Sequence, residues 1–360
     1  MKTLTQAATF PAESDPTSWR ALVRAYEAPQ RHRSVLQLVT TLVLLASACT
    51  LSARTLSGPY WITFLIAIPT AFLIVRSFII MHDCAHGSYF KSRLANDVVG
   101  FITGAITLTP YVRWRREHVL HHATTGDLDR RGEGDTWTMT VKEYRAASSS
   151  LRLRYRLYRT PLVFLLVGPI KYAIDQRLPP TGKADTPPVR ASVRETNLAL
   201  LALLLAGSAL IGPLGVLLVY GPAYEIAMGI GAYIIWVQHQ FEDTYWAEHE
   251  SWDYTTAALR GSSYLKLPRV LDWLTCSIGL HHLHHLSPRI PNYRLRECHE
   301  AHPMFREAHV ITLRESRKAV ALALWDEANQ KLVGFDAVEL IRNPLRESSD
   351  ETFDTRLPEL

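Results

Sequence analysis

Cysteine is scarce in this chain and poorly placed for structural chemistry. Four occur in 360 residues (Cys49, Cys84, Cys276, Cys298). No two form a C-x-x-C pair, which argues against a zinc ribbon, a thiolate iron–sulfur site or a disulfide framework. No nucleic-acid-binding motif accompanies the modest formal charge of +5, so nothing favours DNA or RNA as a partner. The first 33 residues are polar and mixed in charge, unlike a cleavable signal peptide. The chain has no repeat of fixed period and no low-complexity tract.

Apolar residues make up 48% of the chain and gather into long runs between very polar stretches, the pattern of a membrane protein. Residues 35–53, 60–81, 198–220 and 223–241 each come close to the roughly 20 needed to cross hydrocarbon. Ser57-Gly58-Pro59 turns the chain between the first two runs and Gly221-Pro222 between the last two. Arg76 lies near the far end of the second run, where its side chain can snorkel to the interface. Residues 97–112 are apolar but too short to span, and with Gly100, Gly104 and Pro110 they read as interfacial or re-entrant. Residues 161–170 read as interfacial, the proline-rich stretch 179–195 as a loop or linker, and 251–280 as amphipathic.

The expected fold is all-α: a four-transmembrane-helix domain over residues 35–294 with interfacial helices and a cytosolic helical cap. A cytosolic segment, 1–34, precedes it, with a short helix near 18–28 capped by Asp15-Pro16-Thr17-Ser18. A polar segment of helical periodicity, 295–360, follows.

Histidine is plentiful. Nine of 15 fall in three short clusters: His82-Asp83-Cys84-Ala85-His86, His118-Val119-Leu120-His121-His122 and His281-His282-Leu283-His284-His285. Residues at i, i+3 and i+4 share a helix face. The pair His82/His86 and the trios His118/His121/His122 and His281/His284/His285 are therefore each expected to aim at a single point. One such pair is more often surface composition than a metal site; three of matching geometry, with apolar runs of spanning length between them, outweigh that reading. Two runs precede the first cluster, none separates it from the second, and two more precede the third. All three clusters are thus expected on one side of the membrane. Arg20, Arg24, Arg31, Arg33, Arg113, Arg115, Arg116, Arg130 and Arg131 flank the runs on that side, against Arg54 alone in the opposite loops. By the positive-inside rule the clusters and both termini face the cytosol, in the cytoplasmic (inner) membrane.

Imidazole nitrogen suits iron, zinc, copper or nickel. Eight such residues are too many for one ion of four to six ligands and suit a pair. His239, at the end of the last run, lies at the same depth and adds a ninth. His282 points away from its trio, while His32, His249, His299, His302 and His309 lack the spacing and read as surface residues. Asp83, Asp127 and Glu242 stand near the clusters. Asp83 and Asp127 are candidates for accepting the second N–H of a metal-bound imidazole, which fixes its tautomer. No carboxylate stands at the E-x-x-H spacing of soluble carboxylate-bridged di-iron bundles, so such a site would be histidine-rich.

Taken in order, these boxes and the following Leu286-Ser287-Pro288-Arg289-Ile290-Pro291-Asn292-Tyr293 resemble the integral-membrane fatty acid desaturases. The closest likeness is to the bacterial and cyanobacterial acyl-lipid branch, similar to omega-6 (delta-12) and delta-5 enzymes, and it runs from about residue 75 to 293. The resemblance implies a four-helix membrane domain whose cytosolic di-iron site is held by His82, His86, His118, His121, His122, His239, His281, His284 and His285. It also implies cis double-bond formation in an acyl chain with O2 and two electrons. No His-Pro-Gly-Gly haem motif occurs, so electrons are expected from a separate, ferredoxin-type carrier.

Arg113, Arg115 and Arg116 are candidates for holding a lipid phosphate or docking that carrier; plain positive-inside anchoring explains them equally well. A sister hydroxylase or ketolase would share the boxes. A non-oxidative membrane zinc protein would need one metal and three or four ligands, leaving half of these histidines unexplained. A transporter would place its ion-binding residues within the spans, where only Glu225 and Arg76 stand.

Overall fold

The computed structural model describes residues 18–132 and 136–340. Residues Asp15, Pro16 and Thr17 of the expected cap, and 341–360 of the C-terminal segment, lie outside the described residues. The first described elements are α1 (Trp19–Arg24), α2 (Arg31–Thr55) and α3 (Tyr60–Ala85), followed by α4 (Arg93–Ile106) and α5 (Tyr111–Thr124). Strand β1 (Met139–Thr140), α6 (Val141–Ala146) and α7 (Ser149–Tyr158) come next. A π-helical turn (Val163–Val167) then leads into α8 (Gly168–Arg177), and α9 (Pro187–His239) follows.

Three of these helices, α2, α3 and α9, are long and apolar enough to cross a membrane, and α7 meets the Val163–Arg177 segment at a bend of 70°. Ala67 and Ala71 of α3 and Ala223 and Ala227 of α9 are buried against Leu45 and Ile74. Small residues of this kind let helices approach closely in lipid. The opposite faces expose Leu36, Val43, Phe64, Leu65, Leu205 and Leu217, an apolar belt suited to hydrocarbon.

Helix α9 is broken at Gly212, whose φ of 74° and ψ of 157° belong to no helix. A Cβ on Gly207 would sit 3.1 Å from the Val216 side chain, whereas nine residues of unbroken helix span about 13.5 Å. The far ends also meet one helix: Ser192 Oγ accepts from the Val112 N–H at 3.1 Å, and His239 packs 4.9 Å from His121. The chain therefore reverses at Gly212-Pro213, not at Gly221-Pro222, and the spans expected at 198–220 and 223–241 become arms 187–211 and 213–239. Both Gly-Pro pairs carried the local signal. A turn at 212 makes arms that match α2 (25 residues) and α3 (26 residues) in length. It also brings the hairpin tips together, with Tyr60 Oη donating to the Leu218 carbonyl at 3.2 Å.

Two further expectations change. The second half of the 179–195 linker is helical, because Pro187 and Pro188 occupy the first turn of α9, where a missing N–H costs nothing. Arg76 does not snorkel. It is 4% exposed, its Nε donates to Thr41 Oγ1 at 2.9 Å, and its guanidinium lies 4.1 Å over the Trp273 ring.

The short apolar element is α4, onto which α5 folds back. A Cβ on Gly100 would come within 2.3 Å of the Tyr111 ring, and one on Gly104 within 2.7 Å of the Thr109 carbonyl. Beyond α9 come α10 (Tyr254–Arg260), β2 (Tyr264–Lys266), α11 (Arg269–Leu274), α12 (His281–Leu286) and α13 (Asn292–Ala301). After them stand β3 (Val310–Thr312), α14 (Ser316–Ala319), β4 (Leu324–Asp326), β5 (Lys331–Val333) and α15 (Phe335–Leu340).

The protein is mainly helical, yet the segment after 295 is not the purely helical cap expected. Strand β3 pairs in parallel with β2, and β4 pairs with both β1 (parallel) and β5 (antiparallel). Asp326 closes the β4–β5 turn by accepting the N–H groups of Ala328 and Asn329. Val23, Leu283, Leu286, Leu295 and Phe305 share one core, so the N-terminal segment, α12 and α13 pack as a unit.

Candidate metal centre

The ends of α3, α5, α9 and α12 converge. Each end presents histidines one turn apart or at its last residue. Helix α12 reads His281-His282-Leu283-His284-His285-Leu286, and Leu283 and Leu286 are fully buried in the core on its back face. That packing holds the front face, with His281, His284 and His285, towards the other helices.

The nine histidines form two groups. His82, His86, His118, His122 and His284 make one; His121, His239, His281 and His285 make the other. Within each group the ligand nitrogens all lie within 4.8 Å of one another. The expectation that each trio aims at a single point is therefore corrected. On α5 the i,i+4 pair His118/His122 serves the first group and His121 the second; on α12 the pair His281/His285 serves the second and His284 the first. The i+3 residue lies about 60° around the helix axis from residue i and about 100° from residue i+4, and neighbouring helices supply a focus on either side. The groups abut where His122 and His285 stack, ring centroids 4.1 Å apart.

Hydrogen bonds outside the clusters orient several rings. His82 Nδ1 lies 3.0 Å from Asp83 Oδ1. The other oxygen of Asp83 accepts from the Asn292 N–H at 2.7 Å and from its Nδ2 at 2.8 Å. Asn292 Oδ1 in turn accepts from Gln37 Nε2 at 2.8 Å. His239 Nδ1 faces the Gly261 carbonyl at 3.2 Å, which fixes Nε2 as the free lone pair. His118 stacks on Trp114, centroids 4.2 Å apart. Asn292, Gly261 and Trp114 were not singled out from sequence; of the three, only Asn292 lay in a motif, the Pro-Asn-Tyr tail.

Asp127 is fully buried, but its carboxylate lies 2.7 Å from His249 Nδ1 and accepts the Asp129 N–H at 3.0 Å. Glu242 pairs with Lys331 at the surface. His282 lies on the core side of α12, its Nε2 3.1 Å from the Phe305 carbonyl, and burial pushes its pKa down to about 3. His32, His249 and His309 are exposed, while His299 and His302 are half-buried.

Electrostatics argue for cations at the two foci. Burial first, then neighbouring imidazoles, hold His118, His122, His284 and His285 well below the usual histidine range. These rings are neutral, with lone pairs converging: His122 Nε2 lies 3.0 Å from His118 Nε2 and 2.9 Å from His284 Nε2. In the second group His281 Nε2 lies 2.9 Å from His239 Nε2 and 3.1 Å from His285 Nε2. His86 Nε2, His122 Nδ1 and His281 Nδ1 are buried and have no hydrogen-bond partner among the described residues. Buried polar atoms are rarely left so. Five and four imidazole nitrogens around two adjacent points match the donor number and softness of two first-row transition-metal ions.

Comparison with known proteins agrees with this chemistry. The sequence model of the family described as "Fatty acid desaturase" matches residues 57–317. The chain is 42% identical over 330 residues to a fatty acid desaturase of Bacillus subtilis, covering 91% of this chain and 93% of that one. It is 30% identical over 238 residues to an sn-1 oleoyl-lipid 12-desaturase of Synechocystis, covering 64% and 65%. An sn-2 acyl-lipid omega-3 desaturase (ferredoxin) of Helianthus annuus is 29% identical over 236 residues, covering 62% and 52%.

Proposed function

Because this chain belongs to the fatty acid desaturase family of oxidoreductases, we propose that it forms a cis double bond in an acyl chain of a membrane lipid. In that reaction two adjacent methylenes lose one hydrogen each. O2, taking these two hydrogens with two further electrons and two protons, leaves as two waters. The observation that carries the reading is the paired set of nine imidazoles, seven of them buried and two, His86 and His118, partly buried. His82, His86, His118, His122 and His284 would hold one iron, and His121, His239, His281 and His285 the other. Bound iron would supply the O2 activation needed to take hydrogen from an unactivated carbon.

The protein's own part is orientation and shelter. Asp83 and the Gly261 carbonyl set the His82 and His239 rings, and burial keeps competing water from the centre. An apolar groove of roughly 400 Å³, lined by Phe72, Leu166, Ile230, Ile234, Leu265 and Leu271, is suited to receive the chain. Its inner wall adjoins the centre, since the Leu265 N–H donates to the Gly279 carbonyl, two residues before His281, at 2.9 Å.

The same reading has α2, α3 and the two arms of α9 as four crossings, with the histidines on the cytosolic side of the cytoplasmic membrane. Electrons come from a separate carrier of ferredoxin type, the donor named for the Helianthus relative.

The test is the fatty acid profile of a bacterial host expressing the chain with a ferredoxin and its reductase, alongside His284→Ala. A new unsaturated chain that the variant lacks is expected, and its double-bond position gives the regiochemistry. A hydroxy or keto product would move the chain to a sister reaction. Absence of both product and iron would sink the di-iron reading.

A further inference from the structure

Three arginines of α5 looked from sequence like an anion site, and the structure commits them elsewhere. Arg113 donates to Glu117 at 3.0 Å and to the carbonyls of Asp175 and Leu178 at 3.1 and 3.0 Å, closing the end of α8. Arg115 pairs with Asp97 at 3.0 Å, and Arg116 donates to the Lys183 carbonyl.

Among the described residues, the guanidinium with the most sealed and unpartnered nitrogens is that of Arg177, the last residue of α8. Its Nε, Nη1 and Nη2 are all sealed from water, and none has a hydrogen-bond partner among the described residues. A guanidinium carries five donors and cannot escape by deprotonating. One left bare within electrostatic reach of a second guanidinium, that of Arg113, would be stabilised by an anion. The fork geometry of arginine suits phosphate or carboxylate. The surroundings narrow the choice. The Arg177 carbonyl accepts from Asn197 Nδ2 at 3.0 Å, immediately before the exposed Leu198 opens the apolar face of α9. The outer face of α8 exposes Ile170 and Ile174, and Leu178, just past its end, is exposed too. Charge and grease meet here at the mouth of a membrane-crossing segment, as they do in a phospholipid. Half-exposed Tyr172 is the neighbouring ring that would move aside.

We propose that Arg177 is the centre of a binding site for the phosphate of a membrane phospholipid, whose chains lie along the outer face of α8. The site stands on the placement of α8 at the membrane boundary and not on the metal centre, so it is testable on the chain with or without metal.

Native mass spectrometry of the full chain in detergent reads it directly. The probes are phosphatidylglycerol and a diacylglycerol with the same acyl chains but no phosphate. The wild-type chain is expected to retain phosphatidylglycerol and release diacylglycerol. Arg177→Gln is expected to lower phosphatidylglycerol retention about tenfold, the scale of one charge-assisted bidentate contact. Arg177→Lys is expected to restore part of it. Metal content and melting temperature serve as folding controls. Equal retention of the two lipids by the wild-type chain overturns the proposal without recourse to a variant. Unchanged retention in a folded Arg177→Gln also overturns it. Displacement of the lipid by millimolar inorganic phosphate would assign the site to free phosphate and overturn the lipid.

Discussion

Asp83 and Asn292 are 209 residues apart in sequence and joined by two hydrogen bonds onto one carboxylate oxygen, at 2.7 Å from the Asn292 backbone and 2.8 Å from its side chain. Through the other oxygen, at His82 Nδ1, this contact couples the start of α13 to the first histidine cluster.

Asn292→Ala removes one of those donors and leaves a buried carboxylate short of a partner. The expected cost is about 1–3 kcal/mol of stability, with metal affinity lowered about 10–100-fold. Chelator competition followed by elemental analysis measures the second effect, and thermal unfolding in detergent the first. Full metal affinity in a folded variant would mean that Asp83 orients nothing.

His239 and His249 are separated by ten positions, yet only His239 faces a focus. His239→Ala is expected to lower the metal content per chain and remove activity. His249→Ala, which loses a bond to Asp127, is expected to keep both. Metal-to-protein ratios of the two purified variants decide it.

The reversal in α9 has its own test. Gly212→Ala places a side chain at φ 74° and ψ 157°, at an expected cost of about 1–3 kcal/mol. Gly221→Ala, within the second arm, adds a Cβ 3.4 Å from Leu217 Cδ1, an ordinary contact. It is expected to be neutral or to stabilise by about 0.5–1 kcal/mol. Melting temperatures in the opposite order would return the turn to Gly221.

Gly279 admits no side chain. A Cβ there would lie 2.3 Å from the Leu265 carbonyl oxygen, so Gly279→Ala must displace either β2 or the approach to His281. The variant is expected to bind less metal and to melt several degrees lower, by at least about 1 kcal/mol.

Acid should loosen the metal-free chain. His118, His122, His284 and His285 are held below their usual range when folded, whereas in the unfolded chain they titrate near about 6.5. Above that pH neither state binds protons at these rings, and stability does not depend on them. Below it the unfolded state takes up protons that the folded state refuses, so stability falls with pH. Melting curves of chelator-stripped protein between pH 8 and pH 5 are expected to be level first and then to decline.

Local periodicity exposed much of the centre. The i, i+3, i+4 spacing marked eight histidines as sharing helix faces, and position at the end of an apolar run added His239. Periodicity could not divide the trios, because where a helix face looks depends on its neighbours. Nor could it choose between Gly212-Pro213 and Gly221-Pro222, two equal signals in one apolar run whose outcome rests on the lengths of distant helices. Asp127 looked like a partner for the second cluster, but its bond runs to His249, 122 positions away. The β4–β5 hairpin escaped because three-residue strands in a polar, charged segment leave too short a pattern.

The divided trios carry a consequence for assembly. Helices α5 and α12 each contribute to both foci, so on the proposed assignment an ion captured at either one would fix the rotation and register of both helices. The entropy of ordering them would then already be spent when a second ion arrived, and its affinity would rise accordingly. Occupancy is then expected to be a cooperative property of the pair, with chains holding two ions or none and few holding one.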